Sequence, residues 1–292
     1  MSANQDKDDR PLAPGLYLVA TPIGNLEDIT LRALRVLRQA DRIACEDTRQ
    51  TQKLLNHFEI RTPTVSYHMH NEGSRTEELI AELKNGARIA VVSDAGTPGI
   101  ADPGGQIVAA ALAAAVDVFP IPGANAAVSG LIASGLTTER FTFHGFLPAK
   151  AGQRKTTLEE LARDNGTHIF YEAPHRILDT LADVEAVFGP EQHIVIAREL
   201  TKIHEEFLRG SVAGIRSQLA SRASVRGEIV LMLTPTPAET EGKQTTLAAE
   251  VATMVKSEGI SEMDALKRVA RERGIGKSEA YRELQREQNR RR

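Results

Sequence analysis

With a single cysteine, Cys45, the chain can build neither a disulfide framework nor a cysteine-rich metal site. Tryptophan is absent and aromatic residues make up only 4% of the sequence. That argues against an open base-stacking surface of the single-strand-binding kind. No apolar run approaches the ~20 residues of a membrane span. Residues 1–14 are polar, lack the apolar core of a secretory signal, and read as a disordered tail. The expectation is a cytoplasmic protein without a membrane partner. Several familiar sites are missing too. There is no G-x-x-x-x-G-K-[ST], no G-x-G-x-x-G after the first strand, no H-E-x-x-H and no G-x-S-x-G. A P-loop, a dinucleotide-binding unit, a zincin helix and a nucleophile elbow are thereby excluded. His68-Met-His70 offers two ring nitrogens but no third ligand at a suitable spacing, so no metal is expected.

What is present is an ordinary globular composition, 41% hydrophobic and 26% charged, in a chain long enough for two domains and an appendage. The most informative stretch runs from Ala90 to Gly105. A run of small and β-branched residues over 87–93, interrupted only by Arg88, suits a strand buried on both faces of a parallel sheet. It leads through a loop of four glycines, two prolines, Asp94, Thr97 and Asp102 into an Ala-rich helix over 106–115. Glycine lets backbone N–H groups approach a ligand, and loops at the carboxyl ends of parallel strands are where α/β sheets bind.

The rest follows the same strand–loop–helix rhythm. Strands are predicted at 15–21, 42–46, 64–68 and 116–121, with helices at 28–40, through Leu54 and Leu55, and at 75–84. In the first helix, Leu31, Leu34 and Leu37 mark the apolar face. A boundary is placed at Pro122-Gly123, followed by a helix of small residues over 124–135. A second unit has strands near 141–146, 168–173, 193–200 and 228–234, with helices at 156–163, 176–188 and 212–221. The polar stretch from Pro235 to Gln244 reads as a linker, and short helices finish the chain in a spacing compatible with a helix-turn-helix. The fold class is therefore α/β, with two α/β domains (15–121 and 122–236), a cleft between them, and a small helical C-terminal domain (245–292).

Charge is unevenly spread. Residues 242–292 carry 12 Lys+Arg against 8 Asp+Glu, while the chain as a whole is at −3. A basic tail ending Arg290-Arg291-Arg292 on an acidic body suits an anionic partner. Five polar clusters sit where strands end: 46–49, 68–72, 93–105, 172–176 and 198–206. Gathered on one edge, they would line a single cleft rich in donors and acceptors, with no metal and no obvious nucleophile. That pattern favours a transferase that aligns two substrates.

These clusters carry a resemblance. ATPIGNLEDIT (20–30), CEDTRQTQKLL (45–55), YHMHNE (67–72), SDAGTPGIADPG (93–104), PGANAAVSGLIASGL (122–136), YEAPHR (171–176) and RELTKIHEE (198–206) resemble the tetrapyrrole-methylase superfamily of S-adenosylmethionine-dependent methyltransferases, and within it the ribosomal RNA branch. Pro22-Ile-Gly-Asn-Leu26 stands in place of the more usual G-x-G-P-G-D loop, and Ala101 where serine is usual. The resemblance implies S-adenosylmethionine as cofactor, a homodimer, and 2′-O-ribose methylation of a cytidine in the decoding region of small-subunit RNA. A tetrapyrrole C-methylase, and a non-enzymatic S-adenosylmethionine sensor that binds nucleic acid, are the alternatives.

Carried over by position, the implied cofactor contacts are Pro22, Gly24, Asn25, Asp94, Gly96, Thr97, Ala124, Ala126, Ala127 and Glu228. Lys202, Glu199 and Glu172 are the candidates for activating the ribose hydroxyl, a desolvated lysine beside a carboxylate being a credible base. Arg49, His68, His70 and Arg176 are assigned to the RNA near the site. Lys267, Arg268, Arg271, Arg273 and Lys277 are assigned to phosphates along the tail.

Overall fold

The computed structural model describes residues 11–235, 247–273 and 275–289. The expectations for the first ten residues, most of the 235–244 linker, Gly274 and the terminal arginines lie outside the described residues. The chain divides into two compact units, Met1–Thr236 and Pro237–Arg292.

The first unit opens with a doubly covered parallel sheet. Its elements are β1 (Gly15–Val19), α1 (Leu31–Gln39), β2 (Arg42–Cys45), α2 (Thr48–His57), β3 (Thr64–Ser66), α3 (Glu72–Lys84), β4 (Arg88–Val92), α4 (Gly105–Ala113) and β5 (Val118–Ile121). The strand order is β3-β2-β4-β1-β5, and every pairing is parallel. The period-2 rule explains why these strands read as unbroken apolar runs. Tyr17, Val19, Ile43, Cys45, Ala90 and Val92 face the cluster that also holds Val36, Leu37 and Leu55 of α1 and α2. Leu16, Ala44, Ile89 and Val91 face the opposite cluster, with Leu79 and Leu83 of α3 and Ile107 and Ala111 of α4.

Two details differ from expectation. The helix predicted from Asp28 begins at Leu31, because Thr30 accepts the Ala33 N–H as N-cap and residues 26–28 form a separate 3-10 turn capped by Asn25. With that start, Ala33, Val36 and Leu37 are the buried face and Leu31 is 80% exposed.

The second half of this unit holds α5 (Ala126–Ser134), β6 (Phe141–Phe146), α6 (Ala151–Leu161), β7 (Thr167–Glu172), α7 (Ile177–Phe188), β8 (His193–Arg198), β9 (Glu206–Ser211), α8 (Val212–Ala220) and β10 (Ile229–Leu233). Its sheet, β6-β7-β10-β8-β9, is mixed: only β6 and β7 pair in parallel. The polar run after Arg198 hides β9 from a sequence reading; it is an edge strand whose Leu208 enters the core while Arg209 stays in solvent. Helices α6, α7 and α8 cover one face through Leu158, Leu181, Val184 and Ile215. The other face is covered by α5, whose Gly130 lets the helix lie against Met232 and Val230; a Cβ there would sit 3.3 Å from the Met232 methyl.

This topology has a functional consequence. Because β10 is antiparallel to both neighbours, its first residue lies beside their last ones: Ile229 pairs with Glu172 of β7 and with Arg198 of β8. Two of the polar clusters, 172–176 and 198–206, thus meet on one edge beside the start of β10.

The second unit is three helices, α9 (Leu247–Glu258), α10 (Glu262–Glu272) and α11 (Lys277–Asn289), around a core of Leu247, Val251, Leu266, Val269, Ala280 and Leu284. Ser261 caps α10 by accepting the Asp264 N–H. Among the described residues no helix is long and apolar enough to cross a membrane.

Candidate active site

A cavity of about 440 Å³ opens where the first sheet's strands end and the second sheet's β7–β10 edge begins. Its first wall is built by loops that lock to one another. Thr21 and Gly96 exchange backbone hydrogen bonds (2.9 and 3.1 Å), tying the loop after β1 to the loop after β4. Gly96 has φ +84°, and a Cβ on it would press on Ile23 at 3.3 Å, so glycine suits this crossing. The Thr97 hydroxyl donates to the Ala124 carbonyl (3.2 Å), adding the loop after β5, and Asn125 caps α5 through the Val128 N–H. Asp94 accepts the Asp47 N–H at 3.0 Å, adding the loop after β2.

The opposite wall comes from β7, β10 and the turn after β8. Tyr171 and Phe146 stand edge to face, with ring centroids 5.8 Å apart. The Glu172 carboxylate is buried: Oε2 accepts from the Thr180 hydroxyl (2.6 Å) and Oε1 from the Ala173 N–H (2.8 Å), with Arg176 Nε 3.4 Å away. Arg176 also donates to the carbonyls of Leu147 and Pro148. Glu172 and Arg176 therefore brace this corner from behind.

Electrostatically the cavity is one-sided. Glu46, Asp94, Asp102, Glu172 and Glu228 contribute to its walls, and no lysine, arginine or histidine among the described residues does. Burial, with Glu46 and Asp94 close by, pushes Asp102 up to about 6 against a hydrogen bond from Ser93. Burial and Asp94 likewise raise Glu46, with His68 opposing. Burial raises the Tyr171 phenol, opposed by a backbone hydrogen bond from Ala127. Carboxylates held above their usual range in an apolar frame of Ile23, Ile100, Leu200 and Val230 favour a cationic ligand and disfavour a phosphate. The tetrapyrrole (corrin/porphyrin) methylases match residues 15–216, about two-thirds of the chain. The chain belongs to the tetrapyrrole methylase family.

Close relatives extend the match. A Halalkalibacterium halodurans protein named ribosomal RNA small subunit methyltransferase I is 48% identical over 95% of this chain and 96% of its own length. Proteins of the same name from a Synechocystis strain and from Bacillus subtilis are 46% and 44% identical, each over 91% of this chain and covering 95% and 92% of theirs. At the level of fold, the chain is similar to a uroporphyrin-III-C-methyltransferase from Thermus thermophilus (TM-score 0.54, 20% identity, 77% of this chain and 96% of that one). It is also similar to a diphthine synthase (TM-score 0.61, 15% identity, 76% and 90%).

As a member of this methylase family the chain uses S-adenosylmethionine. The cavity fits that molecule: its volume suits a small cofactor, its rings and aliphatic walls suit a nucleoside, and its carboxylates suit a sulfonium and an ammonium.

The structure separates the sequence-level candidates. Asp94, Gly96, Thr97, Ala126, Glu172 and Glu228 line the cavity. Pro22, Gly24, Asn25, Ala124 and Ala127 do not line it. Pro22 and Ala127 are buried, Ala124 holds Thr97, and Asn25 donates its N–H to Thr201 Oγ1 (3.1 Å). Gly24 lies against the Lys202 stem, where a Cβ would come within 2.4 Å of Cγ.

Lys202 and Glu199 also sit outside the lining, and the geometry does not favour Lys202 as a base. Its Nζ donates to Glu199 (2.8 Å) and Glu228 (3.0 Å). Burial would lower its pKa, but the two carboxylates outweigh that and raise it, so the amine stays charged. Glu199 in turn is held low by Lys202 and by the Glu228 N–H, which donates to it at 3.0 Å. Where the sequence suggested a desolvated lysine beside a carboxylate, Lys202 forms a clamp between the turn after β8 and the start of β10.

Outside the cavity lining, Arg49 is 89% exposed in its side chain beside Asp47, and His70 donates its N–H to the His68 ring. Arg176 faces inward instead. In the tail, Lys267 is paired with Asp264, and Arg273 with Glu250 and Glu283. Arg268 has a partner, whereas Arg271 and Lys277 are exposed. No group of three His, Cys, Asp or Glu able to hold a metal occurs among the described residues.

Sequence reasoning passed over Glu46, Asp102, Tyr171 and Phe146 as individual site residues. The first three lie inside motifs it had singled out. Phe146 is an exposed aromatic at a strand end and gave no period-based signal.

Proposed function

We propose that this chain methylates the ribose 2′-oxygen of a cytidine in the decoding region of small-subunit (16S) ribosomal RNA. The observation that carries the substrate is near end-to-end identity, 48% over 95% of the chain, with a protein named for small-subunit ribosomal RNA methylation. When bound, S-adenosylmethionine supplies an electrophilic methyl group. The chain's own residues bind and align: the carboxylates of Glu46, Asp94 and Asp102 favour a cation, while Tyr171 and Phe146 give the cavity flat apolar surfaces. A ribose hydroxyl is a weak nucleophile, and removal of its proton by a group poised near neutrality helps by about 10²–10⁴-fold. Asp102, at about 6, is the cavity carboxylate poised for it. Glu172, Glu199 and Lys202 act as positioning residues. Arg49, His68 and His70 contact RNA in this reading, which also includes a homodimer working in the cytoplasm.

The test is transfer from methyl-labelled S-adenosylmethionine to small ribosomal subunits from cells lacking this gene, with the label mapped by nuclease and alkali. One alkali-resistant linkage 3′ to a cytidine is expected. Label on a base overturns the 2′-oxygen assignment, and label only on a tetrapyrrole overturns the RNA substrate. Tight cofactor binding with no transfer would leave a ligand sensor.

A further inference from the structure

The last helix of the second unit, α11, has two unlike faces. Ala280 and Leu284 are buried at 0% and 5% exposure in the three-helix core, which fixes the helix's rotation. On the other side Ser278, Tyr281, Arg282 and Gln285 are exposed, at spacing i, i+3, i+4 and i+7, which is one continuous face. These side chains are ordered among themselves. Gln285 Nε2 donates to the Tyr281 oxygen (3.3 Å), and Arg282 Nε donates to the Ser278 carbonyl (3.2 Å).

Two contrasts mark this stripe out. The chain has four tyrosines; Tyr17 and Tyr67 are buried with their hydroxyls hydrogen-bonded and Tyr171 is half-buried, yet Tyr281 is 47% exposed. The basic residues of α10 are largely spoken for, Lys267 by Asp264 and the neighbouring Arg273 by Glu250. Arg273 also draws Glu283 of α11, 3.9 Å away, which keeps that carboxylate off the stripe. The surrounding segment, 242–292, is net basic in a chain at −3.

We infer that this face of α11 reads an unpaired stretch of RNA. A base stacks on the Tyr281 ring and the Arg282 guanidinium plane, and the Gln285 amide bonds that base's edge. An exposed aromatic next to an arginine is the combination that recognises splayed-out bases, whereas phosphate tracking needs only charge. The inference rests on the ribosomal reading above and moves the tail's contact from the cations of α10 to a four-residue stripe on α11.

The test uses the full chain and three variants, Tyr281→Ala, Tyr281→Phe and Arg282→Ala. Each is measured for Kd toward naked small-subunit ribosomal RNA and for KM and kcat with small subunits. Tyr281→Ala and Arg282→Ala should each weaken RNA binding and raise KM about ten-fold, with S-adenosylmethionine affinity and kcat held. Tyr281→Phe, which keeps the ring, should behave as wild type. Unchanged RNA affinity in Tyr281→Ala and Arg282→Ala overturns the proposal. So does a raised KM with assembled subunits when naked RNA binding is unaffected, which would make the face a protein-docking surface. If the wild-type chain methylates no RNA, the ribosomal reading fails, while the direct RNA affinities still decide the stripe.

Discussion

Replacing Asp102 with asparagine should make the protein more stable and less active, by amounts that depend on pH. The carboxyl is raised from 3.8 to about 6 by burial and by Glu46 and Asp94. A carboxylic acid whose folded pKa lies above its unfolded value binds more protons in the native state. It therefore costs stability as pH rises from about 4 through 6, and the cost is complete above that. At full strength the difference corresponds to about 3 kcal/mol. Solvent reaches this carboxyl, and screening reduces the figure to roughly 1.5 kcal/mol. Asparagine has nearly the same shape and no charge, so at pH 8 the variant should gain about that much. For a domain of this size the gain is a rise of about 3–6 °C in Tm. At pH 4.5 the native carboxyl is already protonated while the unfolded one, at 3.8, is still mostly ionised, so the gain should shrink to about a third. Methyl transfer should fall by about 10²-fold or more at pH 8, since the proton acceptor is gone. Calorimetric melts at the two pH values, paired with a transfer assay, check both halves. An equal gain at both pH values would assign the effect to packing, and no gain at pH 8 would refute the electrostatic reasoning. Wild-type turnover would remove Asp102 from the proton-accepting role.

Lys202→Ala should destabilise the first unit by about 1 kcal/mol, leaving Glu199 part-buried with the Glu228 N–H as its remaining partner. The acid limb of its pH–rate profile should stay near pH 6; a displaced limb would return Lys202 to the proton path. Glu172→Gln should cost about 2–4 kcal/mol in denaturant titration, because Thr180 and Arg176 lose a buried charged partner. Unfolding within error of wild type would show the corner to be self-supporting. Residues 1–236, which form a compact unit without the tail, should bind S-adenosylmethionine as the full chain does but show a flatter salt dependence of RNA affinity. An unchanged salt slope would free the tail from any role at phosphates.

The first sheet was legible because its strands are covered on both faces. Residues 89–92 read as an unbroken apolar run whichever cluster each side chain joins. The second sheet was only partly so. Strand β9 carries Glu206 and Arg209, so its alternation is masked by ion pairing: Glu206 is held near 2 by Arg222 and Arg198. The direction of β10 has no local signature at all, because antiparallel and parallel partners demand the same apolar run. Site residues followed the same divide. Of the residues that line the cavity, Asp94, Thr97 and Glu172 stood out by loop chemistry at strand ends, and Gly96 came only with the resemblance. The charged state of Lys202 was not legible, because a lysine's pKa depends on which carboxylates the fold delivers to it, and Glu228 arrives from 26 residues away.

The turn after β8 concentrates backbone strain at the seam between the two sheets, and Thr201 makes the point testable. Glu199 and Thr201 both adopt left-handed φ, 52° and 64°, around a Leu200 that is buried and an Ile203 that is 97% exposed. A β-branched residue in this region costs about 1–2 kcal/mol. Two hydrogen bonds hold it there: its hydroxyl accepts from Asn25 N–H (3.1 Å) and its own N–H donates to Glu205 (2.6 Å). The first crosses from this turn to the loop after β1, so the strain is stored where it fastens the cavity's two walls. Thr201→Gly should relieve the strain and lose that bond, leaving stability within about 0.5 kcal/mol of wild type. Thr201→Ala keeps most of the strain and loses the same bond, and should be less stable by about 1 kcal/mol. Both should bind S-adenosylmethionine several-fold more weakly, since neither fastens Asn25. If the glycine variant proved as unstable as the alanine one, the strain would not be real. If both bound the cofactor as wild type does, the Asn25 bond would be decoration, and the clamp at Lys202 would be what holds the walls together.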